Sequence, residues 1–484
     1  MLILFAIITP VVASFASLLV RKNQVFLYVF AAVASLIELI AVSVIVLNVA
    51  THGHAFSWTP YFEVDALGAI VMMLVAVIGL AASWYSMGYL RAEVVKGIIG
   101  FRRVRQYFVL LHLFLVAMFL AISTTNPVLM WIAIEATTLS TAFLISFYNK
   151  PSAMEAAWKY LIINSVGLLL GFFGTLLFVY PALSISQGGF IDWHAVAASV
   201  ANFDPILAKI AFILVLIGYG TKVGLVPMHT WLPDAHSKAP VPISSLLSGV
   251  LLNVAFLAIL RFKSVTDAVV GNGFSQDLLI FFGLTSIVVA SFIIFAQKNY
   301  KRLLAYSSIE HMGIIALGFG FGGAAIFASL LHMVYHSLAK SILFLCSGSI
   351  FLRYSTTKIV NVRGMILTLP VTAILFIIGF LAITGVPPSG TFLTEFSIMA
   401  SGIQDHMIVV AVAVFALVVA FIGFLRHIVS MVFGEVPSGI VKGESTMWIV
   451  APIILLVCVF LFLSVFIPGS MEELLRNAVL NTSL

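Results

Sequence analysis

The chain has 484 residues, of which 62% are hydrophobic and 9% charged, with a formal net charge of +6. Soluble domains carry about 25% charged residues, so this composition excludes a soluble globular protein and indicates a polytopic membrane protein. The basic excess is then a matter of loop placement and not a nucleic-acid signal, and Cys346 and Cys458 lie in apolar runs without CxxC spacing, giving neither a disulfide framework nor a metal set.

A spanning helix needs about 20 mostly apolar residues. In chain order, hydropathy predicts spans at 1–20, 25–50, 66–90, 106–125, 127–148, 156–180, 205–226, 241–262, 277–297, 302–320, 324–352, 365–386 continuing to about 403, 408–433 and 446–468. The fold class is an all-α polytopic membrane protein of about fourteen transmembrane helices. The first stretch has no basic leader or small-residue cleavage site and reads as a span, not a removed signal. The narrow gaps at Asn126 and between Lys298 and Arg302 are the least marked boundaries.

Of the 24 Lys and Arg residues, sixteen follow odd-numbered spans: Arg21, Lys22, Arg91, Lys96, Arg102, Arg103, Arg105, Lys150, Lys238, Lys298, Lys301, Arg302, Arg353, Lys358, Arg363 and Lys442. The opposite side holds Lys209, Arg261, Lys263 and Arg476, while Lys159, Lys222, Lys340 and Arg426 fall within spans. The positive-inside rule puts the sixteen in the cytoplasm and both termini outside. Two outer loops have size, 51–65, which suits a short hairpin, and 181–204. No Rossmann fingerprint, P-loop, CxxCH or cluster-forming cysteine set is present, so redox or nucleotide chemistry is expected in other subunits.

Each charge inside such spans is a functional candidate. They are Glu38, Glu135, Glu155, Lys159, Lys222, Glu310, His311, His332, His336, Lys340, Glu395, Arg426 and His427. Helix–helix contact or a snorkelling end suffices for Glu38, Glu155, Arg426 and His427. Glu135, Lys222 and Glu395 lie near mid-span or beside a helix break, where function is expected; a mid-span lysine costs about 2.5–3.5 kcal/mol on insertion scales. His332, His336 and Lys340 recur every four residues and share one helix face. No metal site is expected from them, because no third ligand is evident and a lysine takes the next position. A buried lysine and a buried carboxylate both drift toward neutrality, so a chain of Glu, Lys, His and water can relay protons under electrostatic control.

The seventh span breaks at Gly224 and Pro227, and the twelfth at Pro387 and Pro388 within TGVPPSG, five spans apart. Paired interrupted helices point to an inverted repeat, and unwound backbone at membrane depth survives only when buried or lining water. The expected organisation is residues 1–105 with spans 1–3, 106–262 as a first five-span unit (spans 4–8), 277–433 as a second unit of opposite topology (spans 9–13), and 446–484 as span 14 and tail. This spacing pairs Lys222 with the Glu395 region, and the Glu135 helix with the Glu310/His311 helix.

The run TKVGLVPMHTWLPDAHSKAPVPISSLLSGVLL, with KYLIINSVG, YSSIEHMG and HSLAKSILFLCSG, resembles the proton-conducting antiporter-like subunits of respiratory complex I, Mrp antiporters and group 4 hydrogenases. The resemblance covers roughly spans 3 to 13. It implies fourteen helices, two inverted five-helix repeats with broken helices 7 and 12, and a central polar axis. It further implies that Glu135 pairs with Lys222, that His311 and Lys340 continue the path, and that Glu395 stands at the outlet. Lys159, His229, Asn253, Glu310, His332 and His336 are secondary candidates on that axis. Glutamate at 395 matches the M subunit of bacterial complex I and the F-type subunit of hydrogenase-4 and departs from the Mrp pattern. Asn253 stands where many members carry a lysine, and it too fits the F-type subunit, as does NKPSAMEAAWKYLIINSVGLLLGFFGTLL. Few residues follow span 14, unlike the L subunit of complex I with its long lateral helix.

The function so implied is a non-redox, proton-translocating membrane subunit of a complex I-related assembly, most like the F-type subunit of hydrogenase-4 or formate hydrogenlyase. It needs no cofactor of its own. Its partners would be other membrane subunits, the lipid bilayer and a peripheral redox arm carrying nickel–iron and iron–sulfur centres, with no nucleic acid. The location would be a bacterial or archaeal cytoplasmic (inner) membrane. An M-type subunit of NADH-quinone oxidoreductase, a cation/proton antiporter subunit of the Mrp type and a membrane subunit of a bicarbonate-uptake complex are the alternatives, and a purely structural anchor is the alternative from another class.

Overall fold

The computed structural model describes residues 2–21, 23–186, 189–444 and 446–482. Lys22, counted among the cytoplasmic cations, and Met1 at the head of the first span lie outside them. Helices α1 (Leu2–Leu19), α2 (Gln24–His52), α3 (Ala66–Val95), α4 (Phe101–Ser123), α5 (Pro127–Ile145) and α6 (Pro151–Ile185) make the first six crossings. A short α7 (Trp193–Ala198) lies in the loop between the sixth and seventh crossings. The seventh crossing is two pieces, α8 (Pro205–Val223) and α9 (Trp231–Lys238). Then α10 (Val241–Leu246) passes through a π turn at Leu247–Leu251 into α11 (Leu252–Val270), which together form the eighth.

Helices α12 (Asn272–Ala296), α13 (Tyr300–Phe321) and α14 (Ala324–Tyr354) follow. The twelfth crossing is assembled from α15 (Met365–Thr368), α16 (Pro370–Ile383) and α17 (Gly390–Gly402). With α18 (Met407–Phe433) and α19 (Met447–Val465), and before a terminal α20 (Gly469–Asn481), the expected fourteen crossings are complete. Among the described residues, 13 helices are long and apolar enough to cross alone; α16, at 14 residues, crosses only with α17.

The two narrow gaps are explained by helix caps. Asn126 Oδ1 accepts from Leu129 N at 2.8 Å with Pro127 at the first helical position, and Asn299 Oδ1 accepts from Lys301 N at 3.0 Å. A cap satisfies amides that have no intrahelical partner, so a single Asn ends one helix and starts the next. The 51–65 loop forms the expected hairpin, β1 (Phe56–Thr59) with β2 (Phe62–Val64), antiparallel. Arg261 Nη2 clamps Asp65 at 3.1 Å behind it, lining a cleft of about 350 Å³ with Glu63 and His194.

The core is polar-bearing and the rim is apolar. The α10–α11 crossing, α13, α3 and α14 are almost wholly buried, whereas α1, α18 and α19 turn residues such as Phe5, Phe15, Phe415 and Phe462 outward. Lipid tails are as apolar as these side chains, so helix association here relies on close packing and buried polar contacts instead of hydrophobic drive. Gly218 on α8 shows how close the approach is. A Cβ there would lie 2.3 Å from the backbone N of Gly171 on α6. Glycine at this crossing is a steric requirement, and α6 and α8 are thereby fixed in register around Lys222.

Candidate functional site

At the first break α8 ends on Gly224, whose φ of +84° lies in the left-handed region. A Cβ there would stand 2.5 Å from Leu232 Cδ1, so glycine is required by space as well as by φ. The interrupted helix leaves polar backbone groups that cannot meet water inside a bilayer. Two of them are answered from within the protein: Trp231 Nε1 donates to Thr221 O at 2.8 Å, and Val226 N donates to Ser286 Oγ of α12 at 2.9 Å. Pro227 and the half-buried His229 occupy the loop, the His229 ring centroid 6.3 Å from that of Tyr306.

Lys222, two residues before this break, is fully buried. Its Nζ donates to Thr138 Oγ1 at 2.8 Å and to Tyr160 Oη at 2.7 Å, and lies 4.9 Å from the Tyr160 ring centroid. Thr138 donates onward to Glu135 Oε2 at 3.2 Å, and Ser165 Oγ donates to Glu135 Oε1 at 2.9 Å. The direct Glu135–Lys222 pair implied by the resemblance is therefore replaced by a bridge through one hydroxyl. Among the described residues the two charges make no contact within the 4.0 Å ion-pair distance. The cause is helical geometry: Thr138 is three residues beyond Glu135, on the same face of α5, and reaches the lysine first.

The second cluster is built by α13, α14 and α17. His311 Nδ1 lies 2.9 Å from His332 Nε2, and His332 Nδ1 lies 2.8 Å from Thr394 Oγ1. Glu395 Oε1 is 3.8 Å from His311 Nδ1. The His336 ring stacks on His311 with centroids 5.6 Å apart, and among the described residues both His336 nitrogens lack a hydrogen-bond partner. Lys340, two turns beyond His332 on α14, donates to Leu304 O at 2.9 Å and to Ser307 Oγ. Glu310 accepts from Ser291 Oγ at 3.3 Å. Glu310, His311 and Glu395 line a cavity of about 20 Å³ beside Ile383 and Thr384, room for about one water.

The second break holds this cluster in place. Gly385 has φ +60°, and a Cβ on it would fall 2.2 Å from Glu395 Oε2. Thr391 Oγ1 donates to Ala382 O, a carbonyl in the last turn before the break that also accepts from Gly385 N at 3.3 Å, while Pro387 and Pro388 lie exposed in the loop.

The α10–α11 crossing is tied by hydrogen bonds to α13 and α14. Asn253 Nδ2 donates to Ser337 Oγ of α14 at 2.7 Å and to Gly249 O at 3.2 Å. The π turn before it brings the backbone hard against α14; a Cβ on Gly249 would sit 2.7 Å from Ser341 Oγ. Ser248 Oγ lies 2.7 Å from Ser308 Oγ, next to the Ser307 that Lys340 holds. Such π turns recur at functional sites.

Lys159 is not brought to this buried set. It is about half exposed, 2.6 Å from Glu155 and 3.6 Å from Asp234, which Arg302 also binds at 2.5 Å. The residues that sequence reading passed over are hydroxyls: Thr138, Tyr160, Ser165, Ser307, Ser337 and Thr394. Their signal was position, since each lies next to a charged candidate along its own helix or faces one across an interface.

A family model described as NADH:quinone oxidoreductase/Mrp antiporter, TM, matches residues 124–423. The Hydrogenase-4 component F homolog of Methylacidiphilum infernorum is 41% identical over 382 residues, spanning 78% of this chain and 80% of that one. NADH-quinone oxidoreductase subunit M of Rickettsia typhi is 27% identical over 360 residues, spanning 73% and 71%. In structure, a chain of the archaeal membrane-bound sulfane sulfur reductase superposes with a TM-score of 0.87 at 22% identity, covering 99% of this chain and 96% of that one. The chain belongs to the NADH:quinone oxidoreductase/Mrp antiporter family of polytopic membrane subunits.

Proposed function

We propose that this chain is the proton-translocating, antiporter-like subunit of a complex I-related redox assembly of the hydrogenase-4 type. The observation that carries the reading is the fully buried Lys222, hydrogen-bonded by Thr138 and Tyr160 and linked through Thr138 to Glu135. A lysine held by two hydroxyls has hydrogen-bonded neighbours along which a proton can be passed to a base beyond them. Glu135 sets whether the lysine keeps its charge. Through Thr138 the Glu135 carboxylate is linked to that lysine, so a change in its charge is felt there. Lys340, His311 and Glu395 continue the axis, with Asn253 and Ser337 tying α11 to it and Glu395 as the outlet.

In this reading the polar axis crosses two inverted units, residues 106–262 and 277–433. The shared pattern Gly224-x-x-Pro227 and Gly385-x-x-Pro388 supports their equivalence. The chain sits in a bacterial or archaeal cytoplasmic membrane with both termini outside. It works beside other membrane subunits and a peripheral arm whose nickel–iron and iron–sulfur centres drive the change at Glu135. The hydrogenase-4 assignment rests on the 41% identical relative, against 27% for the NADH-quinone oxidoreductase subunit.

The test is Lys222→Ala in the assembled complex, reconstituted in vesicles without sodium. Electron transfer should persist while coupled proton transfer falls to background. Retained pumping would sink the proposal, and transport that requires sodium would favour an Mrp-type cation antiporter.

A further inference from the structure

We infer that His311, His332 and Glu395 form a binding site for a divalent cation of the zinc class. On α14 alone the histidines offer two ligands and then a lysine. The fold supplies what the helix lacks, by setting α13 and α17 against that face. The candidate ligand atoms of the three residues all lie within 4.8 Å of one another. Zinc binds nitrogen and oxygen at about 2.0–2.1 Å in a tetrahedron, which places its ligand atoms roughly 3.3 Å apart. The observed 2.9 Å between His311 Nδ1 and His332 Nε2 and 3.8 Å between His311 Nδ1 and Glu395 Oε1 bracket that separation. The third separation, His332 to Glu395, is within 4.8 Å, so binding draws these two side chains together and turns the two imidazoles from each other toward the ion.

Three further features fit. Two imidazoles and one carboxylate are a known three-ligand zinc set that keeps a fourth position open. The cavity of about 20 Å³ beside His311 and Glu395 has room for one water in that position. His332 Nδ1 is hydrogen-bonded to Thr394 Oγ1 at 2.8 Å, which leaves Nε2 to face the cluster. An outer partner of this kind orients a metal-binding imidazole and is worth about ten- to a hundredfold in affinity. Calcium and magnesium require six or more oxygen ligands and are disfavoured by the imidazoles. The Glu395 side chain keeps 15% of its surface exposed. His336 stands outside this set: the three residues whose ligand atoms converge are His311, His332 and Glu395.

An ion held here occupies the His311 nitrogen and the Glu395 carboxylate together, so it interrupts the polar axis. That consequence rests on the proton-relay reading; the binding does not. The experiment uses the purified assembled complex, stripped with a chelator and titrated with Zn²⁺ against a fluorescent competitor, with zinc-edge X-ray absorption to read the ligands. The native complex should bind one equivalent more than His332→Ala and show two imidazoles and a carboxylate. Thr394→Val, which keeps all three ligands, should weaken that equivalent about ten- to a hundredfold. Equal stoichiometry in native and His332→Ala complexes, or a spectrum without imidazole, overturns the site. In parallel, proton transfer in vesicles is followed at saturating Zn²⁺. Loss of transfer supports the interruption, whereas binding with unchanged transfer leaves the site standing and overturns the relay through it.

Discussion

At the first break a lysine sits two residues before Gly224; at the second, the residue two before Gly385 is Ile383, and the ionisable group, Glu395, comes ten residues after the glycine. The backbone solutions are nonetheless alike. Both glycines have positive φ, both are followed by a proline three residues on, and in both a donor from the second half-helix satisfies a carbonyl at the end of the first. Trp231 does this for Thr221, and Thr391 for Ala382. The break is thus a backbone device independent of charge. What differs is where each half hangs its titratable group. Lys222 is carried on the incoming half-helix, fully buried and held by hydroxyls. Glu395 is carried on the outgoing half-helix, against the break itself and beside a water-sized cavity. The expected pairing of Lys222 with the Glu395 region therefore joins opposite sides of the two breaks and is not a residue-for-residue match.

The same substitution in the two breaks separates these roles. Gly385→Ala thrusts a methyl into the Glu395 carboxylate, and displacing a reacting group by about 1 Å slows chemistry on the order of a hundredfold. Proton transfer should fall by about that factor while the complex still assembles. Gly224→Ala meets Leu232 instead, and should lower thermal stability by about 1–3 kcal/mol with a smaller effect on rate. Equal losses of transfer from both would erase the distinction.

Thr138→Val probes the first half alone. It removes the hydroxyl between Lys222 and Glu135 without changing either charge. A buried hydrogen bond to a charged group is worth about 1.5–3 kcal/mol, so proton transfer should slow by about ten- to a hundredfold. A rate unchanged from the native one, measured in vesicles, would show that the two charges communicate by another route.

Lys159→Ala should do least. The side chain is about half exposed and bound to Glu155 and Asp234 at the surface. Exposed pairs contribute little, so proton transfer should stay within about twofold of native. A loss as deep as that of Lys222→Ala would return Lys159 to the axis.

Much of this fold is written locally. Apolar runs of membrane length give the crossings, Asn126 and Asn299 mark the narrow turns by their capping chemistry, and Gly224 with Pro227 and Gly385 with Pro388 announce the breaks. The common face of His332, His336 and Lys340 also follows from spacing alone. Other features depend on register between helices, which no single stretch encodes. Thr138 looks like any helix threonine until α8 places Lys222 beside it. His332 and His336 are equivalent by period, yet only His332 contacts Thr394, because α17 packs at that level. Lys159 and Glu155 have the same spacing whether buried or exposed, and only the packing of α6 puts them outside. The terminal α20 escaped hydropathy because it is amphipathic, burying Leu474, Leu475 and Ala478 and exposing Arg476.

In the proposed relay both halves of the chain serve one continuous axis. The direct test compares Lys222→Met with Lys340→Met, each in an assembled complex in vesicles, by proton transfer per electron transferred. A single axis requires both variants to drop to background. If each variant instead keeps about half of the native transfer, the two halves conduct independently and the account of one axis is wrong.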